Sequence, residues 1–193
     1  ERYREQILYA SDARVKSVDP YNRRVVTEFD EYRFDDAILM APQQAGDLLW
    51  QAGLIGKDGA GRPTGWADQE PFRLHARADE RVFLLGDALG AVSPLFGHYP
   101  KSGHMANRQA RIVAGEIAAR AAGAEAPLQL PESVCYVYPD FDPPRTIRID
   151  SRYRVRGDGL IEQSTQQFPD PNPRDEDLAW AAGLFEEFLA FKR

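Results

Sequence analysis

Three groups of residues in this 193-residue sequence have types and spacing suited to chemistry. They are the Gly86-Asp87 pair, the run Tyr99-Pro100-Lys101-Ser102-Gly103-His104-Met105-Ala106-Asn107, and the single cysteine, Cys135. Val82-Phe83-Leu84-Leu85 is a continuously apolar run that delivers Gly86 and then Asp87. If the run is a buried parallel strand, its carboxyl end is where α/β sheets bind ligands. A glycine there lets the backbone approach a ligand closely, and an aspartate accepts hydrogen bonds from sugar or ribityl hydroxyls. The same residues equally suit a strand followed by a helix-capping aspartate. In the second group, Pro100 and Gly103 flank Ser102, a helix N-cap. The helix it opens offers free N–H groups and the positive end of its dipole, with Lys101 alongside, which makes a site for negative charge. An ordinary capped helix with a solvated lysine is the plain alternative. Cys135 stands among apolar and aromatic residues, where a lone cysteine is more often a small buried hydrophobe than a nucleophile. Any disulfide it makes needs another polypeptide or a segment outside these residues.

The remaining candidates carry less. His98 and His104 lack a third ligand at a supporting spacing, so they read as polar loop and helix-start residues, and no metal site is expected. No Ser-His-Asp arrangement can be assembled. Arg156-Gly157-Asp158 reads as a turn.

The elements that must position these residues follow from periodicity. Residues 13–40 read as a β-meander with strands at 14–18 and 24–29 and turns at Asp19-Pro20-Tyr21-Asn22 and Asp30-Glu31. Its third run, Ala37-Ile38-Leu39-Met40-Ala41, is apolar throughout, as a strand buried on both faces would be, and Pro42 ends it. A short helix is expected over 44–52 and a Gly-rich loop over 56–65. The clearest helix spans about 102–122. Its Ala106, Ala110, Ala114 and Ala118 form a stripe of small side chains that permits close packing. From Glu132 the composition changes. Over 145–156, Ile147, Ile149, Ser151, Tyr153 and Val155 alternate with Arg148, Asp150, Arg152, Arg154 and Arg156. A hairpin turn at Gly157-Asp158-Gly159 returns the chain through Leu160-Ile161-Glu162-Gln163. Residues 168–174, with three prolines, form a loop. A final helix from about Asp175 places Leu178, Ala182, Phe185 and Leu189 on one stripe, with Glu176, Asp177, Glu186 and Glu187 on its other side.

Composition narrows the function. Hydrophobic residues make up 43% and charged residues 28%, which is ordinary for a folded chain. The net charge of −6 argues against a general nucleic-acid surface. No apolar run reaches the roughly 20 residues of a transmembrane helix. Glu1-Arg2-Tyr3-Arg4-Glu5 is charged and has no apolar segment behind it, unlike a signal peptide. A first residue other than methionine, running into a strand pattern, suggests a start inside a larger protein. The arginine face of 145–156 pairs by default with the chain's own carboxylates, or guides an acidic partner.

With these residues in view, the sequence resembles the flavoprotein subunit of flavocytochrome c sulfide dehydrogenase. The resemblance rests on Ala41-Pro42-Gln43-Gln44-Ala45-Gly46, Gly86-Asp87-Ala88, Pro100-Lys101-Ser102-Gly103 with Asn107, and Cys135-Tyr136. It covers nearly the whole chain from about residue 10. It implies an α/β fold: part of an FAD-binding (two-dinucleotide-binding) domain with its meander over 1–126, then a small α+β C-terminal interface domain over 127–193. FAD is the implied cofactor, held by Gly86 and by Asp87 at the ribityl chain. Pro100, Lys101, Ser102, Gly103 and Asn107 would lie against the isoalloxazine ring, and Ala41 and Pro42 would approach from a neighbouring strand. A helix N-terminus at that place stabilises the negative charge of a reduced flavin. Cys135, assisted by Lys101, would be one half of a redox-active cysteine pair. Hydrosulfide would open that pair's disulfide to a persulfide and a thiolate, and two electrons would pass to the flavin and then singly to a haem.

The implied protein is thus a periplasmic sulfide dehydrogenase. Its partners are a c-type cytochrome, sulfide or another reduced sulfur substrate, and the missing N-terminal flavoprotein domains. The Gly-x-Gly-x-x-Gly fingerprint and the second cysteine are absent from this chain, so the expectation is a C-terminal portion, inactive alone and binding FAD weakly or not at all. The rival readings are a sulfide:quinone oxidoreductase relative, against which the acidic last helix weighs, and a non-catalytic subunit-docking module.

Overall fold

The computed structural model describes residues 5–169 and 175–189. The expected proline loop therefore lies outside the described residues over 170–174, as do the first four residues. Among the described residues the protein is a small mixed α/β structure of three antiparallel sheets and three helices. The chain forms two compact units, residues 1–42 and 43–193.

In the first unit, β1 (Val15–Asp19), β2 (Arg24–Thr27) and β3 (Glu31–Arg33) form the expected meander in the order β1-β2-β3. Asp19 builds the first turn: its carboxylate accepts from the Tyr21 and Asn22 N–H groups at 3.1 and 3.0 Å. That is the Asx geometry for which aspartate is favoured in turns. The third apolar run departs from expectation. Residues 37–41 form no strand, and Ile38 and Met40 are exposed. A run buried on both faces needs a strand on each side to take its backbone bonds, and among the described residues of the unit none pairs with it.

The second unit begins with α1 (Asp47–Gln51), shorter than expected. The stretch expected to be a Gly-rich loop is instead a hairpin of β4 (Ile55–Lys57) and β5 (Pro63–Ala67). Asp58 closes it by accepting from the Ala60 and Arg62 N–H groups, each at 2.9 Å. Residues 82–85 are not the expected parallel strand. Phe83 makes one isolated antiparallel bridge to His75, Leu84 alone of the four is buried, and Val82 and Leu85 are exposed. Among the described residues no parallel strand lies beside the run to complete a sheet. Gly86–Ala88 is a single 3-10 turn.

The principal helix, α2 (Gly103–Ala121), starts on Ser102, whose Oγ accepts from the Met105 N–H. This cap contributes about 1 kcal/mol. The helix ends in a Schellman turn: the Ala124 N–H donates to Ala119 and the Gly123 N–H to Arg120, with Gly123 at φ +67°. Its buried face is not the alanine stripe. His104, Met105, Gln109, Val113 and Glu116 face inward, while Ala110, Ala114 and Ala118 are exposed. Only Ala106 lies close to a neighbouring glycine: a Cβ on Gly86 would stand 3.4 Å from its own.

β6 (Ser133–Phe141), β7 (Pro144–Val155) and β8 (Ile161–Pro169) form the third sheet. The core gathers Leu74, Ala76, Leu84, Leu89, Met105 and Val113 with Ile161 of this sheet. The last helix, α3 (Glu176–Leu189), packs on the protein through Trp180, whose ring meets those of His104 and Tyr136. Three of its acidic residues bond the rest of the protein: Glu176 pairs with Arg148, Asp177 accepts from the Tyr138 hydroxyl, and Glu187 pairs with Arg108 and Arg111. Leu178, Ala182, Phe185 and Leu189 are exposed. No described helix is long and apolar enough to cross a membrane.

Candidate functional site

The site assembles around the turn after Leu85. Gly86 adopts φ +69°, a conformation that suits glycine. Its N–H donates at 2.7 Å to Oε1 of Gln109, a fully buried side chain of α2. Lys101, just before the Ser102 cap, reaches back across the turn. Its Nζ donates to the backbone carbonyls of Asp87 at 2.6 Å and Leu89 at 2.9 Å. The same ammonium stands over the Trp66 ring at 3.7 Å from its centroid. Burial lowers the Lys101 pKa, and the Asp87 charge opposes that shift. Lys101 thus acts as a clamp joining the Gly-Asp turn to the start of α2, with its charge committed to carbonyls and a ring face.

A second clamp lies behind the first. Gln69 Nε2 donates to the carbonyls of Gly90 and Ala91, and its Oε1 accepts from the Gly90 N–H at 2.9 Å. Gly90 lies so close to β5 that a Cβ would stand 2.3 Å from the Ala67 carbonyl oxygen. Only glycine fits there.

These clamps bring Gly86, Asp87, Pro100, Lys101, Ser102 and Gly103 to one place. Asp87 is exposed, and among the described residues no donor bonds its carboxylate. Gly103, at the first helical position, has nothing within 4 Å of where a Cβ would be. Asn107, one turn along α2, keeps a buried Oδ1 with no hydrogen-bond partner among the described residues. A free carboxylate, an open helix tip and an orphaned acceptor fit the edge of a polar cofactor, and they are the groups expected to meet FAD. Ala41 and Pro42 belong to the first unit, where both are exposed and outside regular structure.

Cys135 lies on β6 and is exposed. It is therefore not the buried hydrophobe that a lone cysteine usually is. Burial of its surroundings and the nearby Asp150 carboxylate push its thiol above the ordinary value, so the thiol form prevails at neutral pH. Opposite residues of antiparallel strands share a face. Cys135 is paired with Ile149, and Val137 with Ile147, so these four form an apolar patch around the sulfur. Farther along the same face of β7, Tyr153 packs edge-on against Tyr99 at 4.7 Å. The thiol therefore sits on the sheet face that leads to the Pro100 turn. A second link is direct: the Val134 N–H donates to Nδ1 of His104 in the first turn of α2.

Trp66, Gln69 and Gln109 escaped the sequence reading. Gln109 left a signal, since it interrupts the spacing of Met105 and Val113, and a polar residue on a buried stripe needs a partner. No protein-family model matches the chain.

Proposed function

We propose that the chain is the C-terminal portion of an FAD-dependent sulfide dehydrogenase flavoprotein of the flavocytochrome c type, a periplasmic protein that passes electrons to a c-type cytochrome. The observation that carries this reading is the pair of bonds from Lys101 Nζ to the Asp87 and Leu89 carbonyls, which ties the free Asp87 carboxylate to the capped tip of α2. FAD, when bound, supplies a two-electron acceptor that can release electrons one at a time. In this reading Asp87 accepts hydrogen bonds from the ribityl hydroxyls, while the open N–H groups at Gly103 stabilise negative charge on the ring.

Cys135 forms a disulfide with a second cysteine outside these 193 residues. Hydrosulfide breaks that bond and forms a new sulfur–sulfur bond, and the displaced cysteine leaves as a thiolate that keeps the electron pair. The sulfur whose thiol has the lower pKa leaves faster. A raised pKa makes the Cys135 sulfur a slow leaving group, which favours the persulfide on Cys135. The unpartnered apolar run 37–41, the exposed alanines of α2 and the open patch around Cys135 all suit a chain that packs against further protein.

A second reading, a non-catalytic docking module, is favoured by the outward apolar stripe of α3. Substitution separates the two. In the full-length flavoprotein, Cys135→Ser is expected to keep the flavin absorbance and lose its bleaching by sulfide. Bleaching at the wild-type rate would overturn the role of Cys135. A full-length protein without flavin absorbance would leave the docking module as the better account.

A further inference from the structure

Two N–H groups converge on one buried imidazole. The Val134 N–H lies 3.2 Å from His104 Nδ1, and Arg108 Nε lies 3.1 Å from His104 Nε2. His104 is 7% exposed. A neutral imidazole carries one proton and one lone pair, so it can accept one of these bonds but not both. With Nδ1 accepting from Val134, Nε2 carries the proton and meets Arg108 Nε–H donor against donor. An acceptor placed beside them would satisfy both, and an unmet donor in a buried setting is costly.

Space for such an acceptor exists. His104 and Arg108 line a cavity of about 480 Å³ together with Arg111, Gln129, Glu132 and Trp180. Arg108 and Arg111 are three residues apart on α2 and therefore project from one side of it. Both guanidiniums reach the same carboxylate, Glu187 of α3, at 3.3 and 3.4 Å. These are long contacts for charged groups, which close to roughly 2.7–2.9 Å when well formed. Two cations that line this cavity beside His104 thus share one loosely held carboxylate. Glu132, the acidic group of the lining, is exposed.

We propose that this cavity binds a small tetrahedral oxyanion of the phosphate or sulfate class, gripped by Arg108 and Arg111, with His104 Nε2–H as a third donor. Guanidinium forks match such oxyanions in shape as well as in charge. Glu187 then acts as a tethered competitor: an anion that enters displaces it and releases the last turn of α3 from α2. This site stands apart from the Asp87–Lys101 clamp and does not depend on a flavin.

Calorimetric titration of the full chain with inorganic phosphate, and in parallel with sulfate, at ionic strength held constant with chloride, tests the proposal. One saturable site is expected for either anion. Arg111→Gln, at a well-exposed position, should weaken binding about tenfold while the thermal unfolding transition is retained. Glu187→Gln should tighten binding about threefold or more, because it removes the competitor without removing a donor. No saturable heat with either anion would overturn the proposal. So would an unchanged affinity in Arg111→Gln or a weaker one in Glu187→Gln.

Discussion

The Lys101 ammonium stands 3.7 Å from the centroid of the Trp66 ring while it donates to the carbonyls of Asp87 and Leu89. One side chain therefore fastens β5, the Gly86 turn and the start of α2. A charge-assisted hydrogen bond contributes roughly 1.5–3 kcal/mol, and a partly desolvated cation over an indole about 0.5–2 kcal/mol. Lys101→Met, which keeps the length and removes the charge, is expected to cost about 2 kcal/mol in urea unfolding. Trp66→Leu should cost less, and the double variant less than the two losses added, since the ring and the carbonyls share one partner. An additive pair would show that the ring contact contributes nothing.

Gly90 gives the sharpest steric expectation. A methyl group there would meet the Ala67 carbonyl oxygen at 2.3 Å, and backbone cannot rotate aside as a side-chain tip can. Gly90→Ala is expected to lose about 3 kcal/mol or more. Gly86→Ala meets only Ala106 Cβ at 3.4 Å and has to hold φ +69°, so about 1–2 kcal/mol is expected. Thermal unfolding of the two variants side by side checks the order, and equal losses would contradict it.

His104 sets a pH dependence. Burial is the largest cause holding its pKa below the ordinary 6.5, followed by the Arg108 charge; Glu187 and the Val134 contact oppose them, and Glu132 faces the same cavity. In the unfolded chain the imidazole takes up its proton near 6.5, whereas in the folded protein it does so only at lower pH. Stability from this group is therefore complete above 6.5 and declines as pH falls from there toward the folded value. Chemical denaturation across that window should show the decline, and His104→Asn should flatten it. A wild-type slope retained in the variant would assign the effect elsewhere.

Asp87 carries the cofactor assignment. In the full-length flavoprotein, Asp87→Ala should weaken FAD binding about tenfold or more, from the loss of a charged hydrogen bond of roughly 1.5–3 kcal/mol. Equilibrium dialysis that gives the wild-type affinity would remove Asp87 from the ribityl site. The carboxylate makes no hydrogen bond among the described residues, so its removal leaves the fold unchanged and keeps the measurement interpretable.

Local chemistry was the most legible part of the sequence. The Asp19 turn, the Ser102 cap and the 157–159 hairpin turn each depend on residues within a few positions, and each formed as read. Apolar runs misled, because 37–41 and 82–85 carry no record of which strand should lie beside them, and strand identity depends on that neighbour. Amphipathicity misled in α3 for a related reason. The stripe at 178, 182, 185 and 189 is visible in sequence, but Arg148, Arg108 and Arg111 draw Glu176 and Glu187 inward and leave that stripe exposed. At the site, the residues flanking the Gly86 turn were legible as types. The clamps from Gln69 and Gln109 were not, since each spans more than 20 positions.

The bare run Ala37-Ile38-Leu39-Met40-Ala41 has a consequence for handling the protein. Five uncharged residues outside any strand among the described residues are a template on which a neighbouring molecule can stack edge to edge, the first step toward fibrils and inclusion bodies. Asp35 and Asp36 stand immediately before the run and Pro42 immediately after it. Like charges repel at one end, and a missing amide hydrogen stops the ladder at the other, so these three residues are gatekeepers whose replacement would shift the expressed chain from supernatant to pellet.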